Sequence, residues 1–184
     1  MSRPLTLCDL TQSYSAVGGG IRTYLTEKRA FLDAQTPHKH VLIIPGAEDR
    51  TLKDGRHEVR EIKSPKVPNS PNYRLLLNSK KVRQVLAEIQ PDYIECLDAY
   101  NLPWCAIRHK RAYPHVQLIA GYRTDFPTVY VEAILRKYIG PWLARGLKAR
   151  AYKYAGKLYG HFDRVYALNL DMADKLEGLG AGEV

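Results

Sequence analysis

Five short apolar stretches, separated by segments of helical periodicity, set the strongest limit on how this chain can fold. They lie at residues 5–8, 41–44, 93–97, 116–119 and 165–168. Most are continuous rather than alternating, which is typical of strands that are covered on both faces. Strands and helices that alternate in one chain predict an α/β fold. We expect a Rossmann-like, mainly parallel sheet with right-handed crossovers and helices on both faces.

The segments between these strands predict four helices. The first begins near residue 21, the second ends at residue 89 before a proline that cannot continue it, and the others cover residues 102–111 and 171–179. A weaker strand is predicted at residues 57–62. The proline-rich residues 64–71 are interpreted as an ordered connector rather than a domain boundary.

A chain of 184 residues has room for one ordinary domain, whose core needs neither a disulfide nor a metal. The three cysteines, Cys8, Cys96 and Cys105, are odd in number and far apart. This usage favours reduced thiols in the core of a cytoplasmic protein. No apolar run reaches the length of a membrane span, and the first ten residues lack the features of a signal peptide.

The charge balance narrows the choice of partners without deciding it. Lysine and arginine number 28 against 19 acidic residues, which gives a formal net charge of +9. An excess of this size favours anionic partners, namely nucleic acid, phosphorylated substrates or an acidic lipid surface.

A run of three glycines, Gly18, Gly19 and Gly20, stands directly before the first predicted helix. Glycine lets a ligand approach the backbone closely, and the N–H groups at a helix start attract anions. A dinucleotide fingerprint fits poorly, because Thr23 occupies its third glycine position and about ten residues separate the strand from the first glycine. The alternative is an exposed loop that binds nothing.

A second polar segment, residues 122–127, follows the strand at 116–119 and places Arg123 beside Asp125. The carboxyl ends of parallel strands meet ligands in α/β sheets, and these groups suit a hydroxylated or phosphorylated ligand. The alternative is a solvated loop in which Asp125 caps the helix that follows.

The third segment, residues 134–159, combines basic and aromatic residues and contains no acidic one. Its seven basic residues are Arg136, Lys137, Arg145, Lys148, Arg150, Lys153 and Lys157. The Gly140-Pro141 pair is predicted to break it into two helices. The composition is typical both of a helix lying on a membrane surface and of a nucleic-acid patch. A solvated face whose aromatic residues contact the core is the alternative.

Four parts of the chain, in order, resemble the N-terminal half of the GT-B fold glycosyltransferases of family 4. Residues 18–25 resemble the diglycine loop that opens the first helix of that family. The Tyr73-Arg74 pair and residues 90–95 (QPDYIE) resemble the approach to its fourth strand. Residues 122–127 (YRTDFP) resemble the motif Y-H-T-D-F-P of lipid- and mannose-type members, and residues 162–180 resemble the last N-terminal strand and helix.

This resemblance implies that residues 1–184 form a single Rossmann-like, acceptor-binding domain of a retaining hexosyltransferase. Such an enzyme moves a sugar from a nucleotide-diphospho-sugar to a hydroxylated acceptor, with no metal and no cofactor beyond that substrate. The implied partners are the nucleotide sugar, a glycan or lipid acceptor and a C-terminal nucleotide-sugar-binding domain outside this chain, without which we expect no activity. An anionic membrane surface is a further expected partner, which places the protein in the cytoplasm and peripherally on the inner face of the membrane. Nucleic acid is not expected.

The resemblance also suggests roles for individual residues. The glycine run would approach the donor diphosphate. The basic stretch is expected to face the membrane because of its own composition rather than because of the resemblance. Arg123 and Asp125 would lie at the reacting end, with Asp98, Tyr100, Asn101 and Tyr122 on the acceptor side. Arg123 departs from the family, which usually has histidine there, and a permanently charged guanidinium cannot simply take over the role of an imidazole. Two other classes stay open, a nonenzymatic module that binds anionic lipid or RNA and a nucleotide-binding oxidoreductase domain.

Overall fold

The computed structural model describes residues 3–15, 17–68 and 70–180. The chain divides into two compact units, an N-terminal unit (Met1–Leu118) and a C-terminal unit (Ile119–Val184). One strand, β8 (Gln117–Tyr122), begins in the first unit and ends in the second.

The sheet of the N-terminal unit is mainly parallel. Its strands are β1 (Thr6–Leu10), β2 (Lys39–Gly46), β3 (Arg50–Asp54), β4 (His57–Lys63) and β7 (Tyr93–Cys96). They are ordered β3-β4-β2-β1-β7, and every pair is parallel except β3–β4. The remaining strands, β5 (Lys66–Val67) and β6 (Ser70–Arg74), form a separate antiparallel pair.

Helices α1 (Gly20–Gln35), α2 (Ser79–Ile89) and α3 (Leu102–Ala112) belong to the same unit. Helix α1 buries Leu25 against Leu42 and Ile44 of β2. The alternate residues along the strands, such as Ile43 and Ile94, are equally buried, and α3 packs against β7. The central strands are therefore covered on both faces, which is why their sequences are apolar without alternation.

The C-terminal unit contains the end of β8, a π-helix (Pro127–Glu132), α4 (Ala133–Tyr159), β9 (Arg164–Ala167) and α5 (Leu170–Glu177). Strands β8 and β9 are parallel, with Ala120 opposite Val165. The buried side chains of Val165, Leu158 and Leu176 contribute to the core of this unit. Asn169 caps α5 through a hydrogen bond that its Oδ1 accepts from the Met172 N–H at 2.9 Å.

Helix α4 is interrupted where the sequence predicts a break. Gly140 has φ 79° and ψ 165°, a conformation outside the helical region that is open to glycine because it has no Cβ. Pro141 follows and lacks the N–H that a continuing helix would use. The predicted division of the basic stretch into two helical segments is confirmed.

The α/β fold class with a mainly parallel sheet is confirmed, and all five predicted strands are present. Strand β8 extends to Tyr122, three residues beyond the prediction, and so brings that tyrosine into the sheet. Strand β3 was not expected, because all five of its residues are exposed and no apolar pattern marks it. The predicted connector at residues 64–71 contains β5 and the start of β6. A single domain over residues 1–184, with another domain beyond it, stays a prediction.

Candidate functional site

The glycine run forms an open start to α1. Gly18 and Gly19 have φ values of 126° and 122°, which L side chains rarely adopt, and a Cβ added to either would meet nothing within 4 Å. Gly19 is the N-cap, and no described side chain caps the helix. A helix start that is exposed and lacks a side-chain cap can offer its N–H groups to an anion.

Asp98 is buried just after β7 and is surrounded by neutral donors. Its Oδ2 accepts a hydrogen bond from the Gln12 N–H at 2.5 Å, and its Oδ1 accepts one from the Ser13 hydroxyl. Burial raises the pKa of this carboxyl above its usual range, although hydrogen bonds from Ser13, Thr11 and Gln12 lower it in part. The contacts tie the end of β7 to the loop that leads from β1 toward the glycine run.

The side chains of Asn101 and Gln12 both form hydrogen bonds with the backbone of Leu76. Gln12 accepts a hydrogen bond from the Leu76 N–H at 2.8 Å, and Asn101 donates one to the Leu76 carbonyl at 2.7 Å. Tyr100 is exposed beside them. Of the three residues predicted on the acceptor side of this unit, Asp98 and Asn101 thus hold loops together, whereas Tyr100 presents its ring to solvent.

Asp125 is the centre of a cluster in the C-terminal unit, beyond the end of β8. The Tyr152 hydroxyl lies 2.8 Å from both carboxylate oxygens, and the Tyr122 hydroxyl donates to Oδ1 at 3.1 Å. Lys175 Nζ lies 3.2 Å from Oδ2. Thr128 Oγ1 is 3.0 Å from the Tyr152 hydroxyl, so Thr128 can donate to Tyr152 while Tyr152 donates to Asp125.

This cluster keeps Asp125 ionised. Burial raises the pKa of the carboxyl, but the hydrogen bonds from Tyr152 and Lys175 outweigh it, and the pKa lies below its usual range. Burial beside the carboxylate also raises the pKa of Tyr122 and Tyr152, which therefore stay protonated donors. The interpretation of Asp125 as part of a solvated loop does not hold, because its side chain is buried and bonded.

Arg123 is partly buried and lies near β9. Its Nη1 is 3.5 Å from the hydroxyl of Tyr166, which pairs in register with Gly121. A Cβ added to Gly121 would lie 2.7 Å from that hydroxyl, so glycine there lets the tyrosine ring pack onto β8. Tyr166 thereby helps to define where the guanidinium lies.

The seven basic residues of the stretch at 134–159 differ in their surroundings. Lys148 is partly buried, and its Nζ lies 2.6 Å from Glu132 Oε2. This ion pair balances the charge of Lys148 within the C-terminal unit. The other six, Arg136, Lys137, Arg145, Arg150, Lys153 and Lys157, are exposed on α4.

A buried group of charges also interrupts the apolar strands of the N-terminal unit. Asp9 and Glu95 are paired in register on β1 and β7, and Lys28 Nζ lies 2.7 Å from the first and 2.5 Å from the second. Burial raises the pKa of Asp9, but Lys28 and His40 lower it more, so it lies below its usual range. Lys28 neutralises part of this charge and attaches α1 to the sheet.

Sequence reasoning missed the residues that hold Asp125. Tyr152 lies 27 residues and Lys175 50 residues from Asp125 along the chain. The sequence places Tyr152 in the basic and aromatic stretch at 134–159 and Lys175 in the helix predicted over 171–179, with no role at Asp125 for either. No local signal in one sequence marks such distant partners. The roles predicted for the glycine run, Asp98, Tyr100, Asn101, Tyr122, Arg123 and Asp125 stay predictions.

The mainly parallel α/β fold, with polar groups after the ends of its strands, defines a class of ligand-binding α/β proteins. The chain belongs to Glycosyltransferase Family 4, whose family model matches residues 18–183. This match confirms the resemblance drawn from the four sequence segments. The comparison with curated proteins found no match.

Among solved structures, the chain is similar to a sucrose-phosphate synthase from Thermosynechococcus elongatus, with a TM-score of 0.64 and 10% sequence identity. The match covers 97% of this chain and 46% of that one, so the chain spans about half the length of this relative. At this identity the likeness shows the fold alone. Within the part of the chain that the structure describes, no helix is both long enough and apolar enough to cross a membrane.

Proposed function

We propose that the chain is the acceptor-binding half of a retaining hexosyltransferase that takes a sugar from a nucleotide-diphospho-sugar. The observation that carries the proposal is the family match over residues 18–183. In this scheme a second, nucleotide-sugar-binding domain faces this half, and transfer to a hydroxylated acceptor occurs in the cleft between them. The match to about half of a solved relative is consistent with such a partner domain.

The geometry supports specific roles within that scheme. The open start of α1 at Gly19 and Gly20 suits the approach of a diphosphate, whose departing charge backbone N–H groups and the helix dipole would stabilise. Asp125, held ionised, can accept a hydrogen bond from a sugar or acceptor hydroxyl. Arg123 can bind a carboxylate or phosphate in bidentate fashion, which makes an acidic sugar or a phosphorylated acceptor suitable substrates.

Tyr152 and Lys175 act in this proposal as positioning residues. Tyr152 fixes the carboxylate of Asp125 through one hydroxyl that both oxygens share, Lys175 fixes it through an ion pair, and both keep its pKa low. Tyr166 helps to position the guanidinium of Arg123, whose Nη1 donates to its hydroxyl. A carboxylate and a guanidinium that are already oriented need less reorganisation when charge develops in the transition state.

The test is a transfer assay with the protein expressed from its complete reading frame. Nucleotide diphosphate release is measured across uridine-, guanosine- and adenosine-diphospho-sugars with a hydroxylated acceptor, and the anomeric configuration of the product is read by proton NMR. We expect turnover with at least one donor and a product that keeps the configuration of the donor. An inverted product would remove the retaining mechanism, and NAD(P) binding without any transfer would favour the oxidoreductase alternative.

The two-half arrangement has its own test. Residues 1–184 alone are expected to fold and to show no turnover, because one half of a cleft cannot close on a donor. Turnover above a buffer control by this chain alone would contradict the arrangement while leaving transferase activity in place.

A further inference from the structure

Helix α4 presents large apolar side chains to solvent. Tyr138 is 80% exposed, Trp142 82% and Leu143 62%. Leu147 extends the same surface one turn further along the helix. We call Tyr138, Trp142, Leu143 and Leu147, with the basic residues beside them, the outer face of α4.

The opposite side of α4 packs into its own unit. Ala144, Ala155 and Tyr159 are buried, Lys148 pairs with Glu132, and Tyr152 donates to Asp125. These residues follow the helical spacing of three and four, so they fix which way the helix is turned. In the segment of α4 after the break at Gly140, the exposure of Trp142, Leu143 and Leu147 is thus imposed by the packing of the opposite side.

Basic side chains surround the exposed apolar ones. A shallow groove of about 540 Å³ is lined by Trp142, Leu143, Arg145, Gly146, Leu147 and Arg150. Arg136 and Lys137 stand on the other side of the break at Gly140, next to Tyr138. An apolar centre with a basic rim and no acidic residue in the stretch is complementary to an anionic surface that also accepts apolar groups.

We propose that the outer face of α4 is a docking surface for an anionic phospholipid bilayer, into whose interface Trp142 and Leu143 insert. Tryptophan and tyrosine prefer the level of the lipid headgroups, and lysine and arginine reach the phosphates around them. This proposal does not depend on sugar transfer, since it rests on exposure and charge alone.

Two other occupants fit less well. A second copy of the chain would bring like charges against each other, because the stretch at 134–159 holds seven basic residues and no acidic one. Single-stranded RNA would pair with the basic residues and stack on Trp142 or Tyr138, but it offers little to exposed leucines such as Leu143. The leucines therefore favour lipid.

The first test is sedimentation of the 1–184 chain with two kinds of vesicle, phosphatidylcholine alone and phosphatidylcholine with one third phosphatidylglycerol. Each basic residue close to an anionic surface contributes a factor of about five in affinity. With several acting together, we expect at least tenfold stronger partitioning to the anionic vesicles near physiological salt. Equal partitioning to both vesicles would overturn the proposal.

Variants locate the surface, and each has a matched control. Trp142→Ser together with Leu143→Ser should weaken vesicle binding about tenfold or more. Phe31→Ser is the control, because its side chain is 62% exposed on α1, and it should leave binding within twofold.

Charge reversal tests the basic rim. Arg145→Glu with Arg150→Glu should abolish vesicle binding, whereas the same reversal at the exposed Arg108 and Arg111 of α3 should have a small effect. Circular dichroism checks that every variant is folded. Equal losses in the charge-reversal variants and their control would mean that net charge alone drives binding. Equal losses there or in the serine variants and their control would show that the outer face is not the docking surface.

Fluorescence separates insertion from adsorption. The chain has two tryptophans, so Trp104→Phe leaves Trp142 as the single reporter. Anionic vesicles should shift its emission to the blue, and brominated lipids should quench it. Binding without shift or quenching would overturn insertion.

A single-stranded RNA tests the nucleic-acid alternative at the same salt. If the chain binds the RNA more tightly than the vesicles, and the Trp142 and Leu143 variants lose that binding equally, the outer face is a nucleic-acid surface instead.

Discussion

Asp98 and Asp125 stand at equivalent places, since each is a buried aspartate a few residues beyond the end of a parallel strand, yet their pKa values are shifted in opposite directions. Asp98 is held by neutral N–H and O–H donors from the loop after β1, and burial raises its pKa. Asp125 is held by two tyrosines and by the cation of Lys175, and its pKa is lowered.

The difference shows that burial of a carboxylate does not by itself indicate its use. A buried carboxylate that is held by neutral donors costs free energy to keep ionised, and at Asp98 these donors fix the conformation of a loop. A carboxylate with a cation and two hydroxyl donors stays charged near neutral pH and can interact with a ligand. The comparison therefore shows that Asp98 fixes a loop, and it supports the proposed ligand contact of Asp125.

The largest expected effect is a loss of activity on substitution of the charged residues beyond the end of β8. In the protein expressed from its complete reading frame, Arg123→Ala and Asp125→Asn should each lower kcat about 10²–10³-fold, because each removes a charged contact from a desolvated site. Arg111→Ala on the exposed end of α3 is the control and should keep full activity. Steady-state kinetics measure all three, and unchanged kcat in Arg123→Ala would remove this strand end from the catalytic site.

The next effect concerns the support of Asp125. Tyr152→Phe removes a hydroxyl that donates to the carboxylate, so the free energy of unfolding should fall by about 1.5–3 kcal/mol. The pKa of Asp125 should rise, and the acid limb of the pH–activity profile should move to higher pH. Tyr138→Phe, on an exposed ring, should change neither denaturant unfolding nor the profile. A loss of stability with an unmoved acid limb would leave Tyr152 as a core residue only.

A smaller effect is expected at the glycine run of the N-terminal unit. Gly19→Val should lower activity about tenfold, because a side chain at φ 122° both strains the backbone and obstructs the start of α1. Gly55→Val, at φ 55° in the turn between β3 and β4, is a matched control that is also strained but lies outside the proposed site. Activity that falls equally in both variants would attribute the loss to strain rather than to diphosphate approach.

The smallest effect is a difference in pH dependence between Asp98→Asn and Asp125→Asn. The folded-state pKa of Asp98 is raised, so its contribution to stability is present at low pH and is lost as pH rises through that pKa. The folded-state pKa of Asp125 is lowered, so its contribution is present above the unfolded value of about 3.9 and is lost as the pH falls below it.

Relative to the parent chain, Asp98→Asn should therefore become less destabilising as the pH rises from 4 to 7. Asp125→Asn should be about equally destabilising across that range and should lose its effect as the pH falls below 4. Urea unfolding at several pH values measures how the free energy of unfolding of each variant changes with pH. Parallel slopes for the two variants would contradict the opposite assignments of the two aspartates.

Much of the fold was predictable, and much of the site was not. The apolar strands were visible because burial on both faces leaves continuous runs such as residues 41–44, and the break in α4 was visible because Gly140-Pro141 is a local signal. Strand β3 has no such signal, since its side chains are exposed and its pairing with β4 supplies the stability.

The sequence could predict which segments carry the candidate site, but not which side chains contact one another there. Arg123 and Asp125 were found because they follow a recognisable strand. Their partners Tyr166, Tyr152 and Lys175 come from other elements, and contacts between distant segments are decided by packing rather than by local pattern. For the same reason, the sequence did not indicate that Asp98 holds a loop.

The three cysteines offer a way to watch the N-terminal unit open. Cys8, Cys96 and Cys105 are free and buried, as predicted, and burial raises the pKa of each thiol. All three lie within Met1–Leu118, and the sequence has no other cysteine. A thiol-specific reagent therefore labels these cysteines only when that unit exposes its interior. The labelling rate under native conditions reports the opening of one unit separately from the other, without any engineered probe.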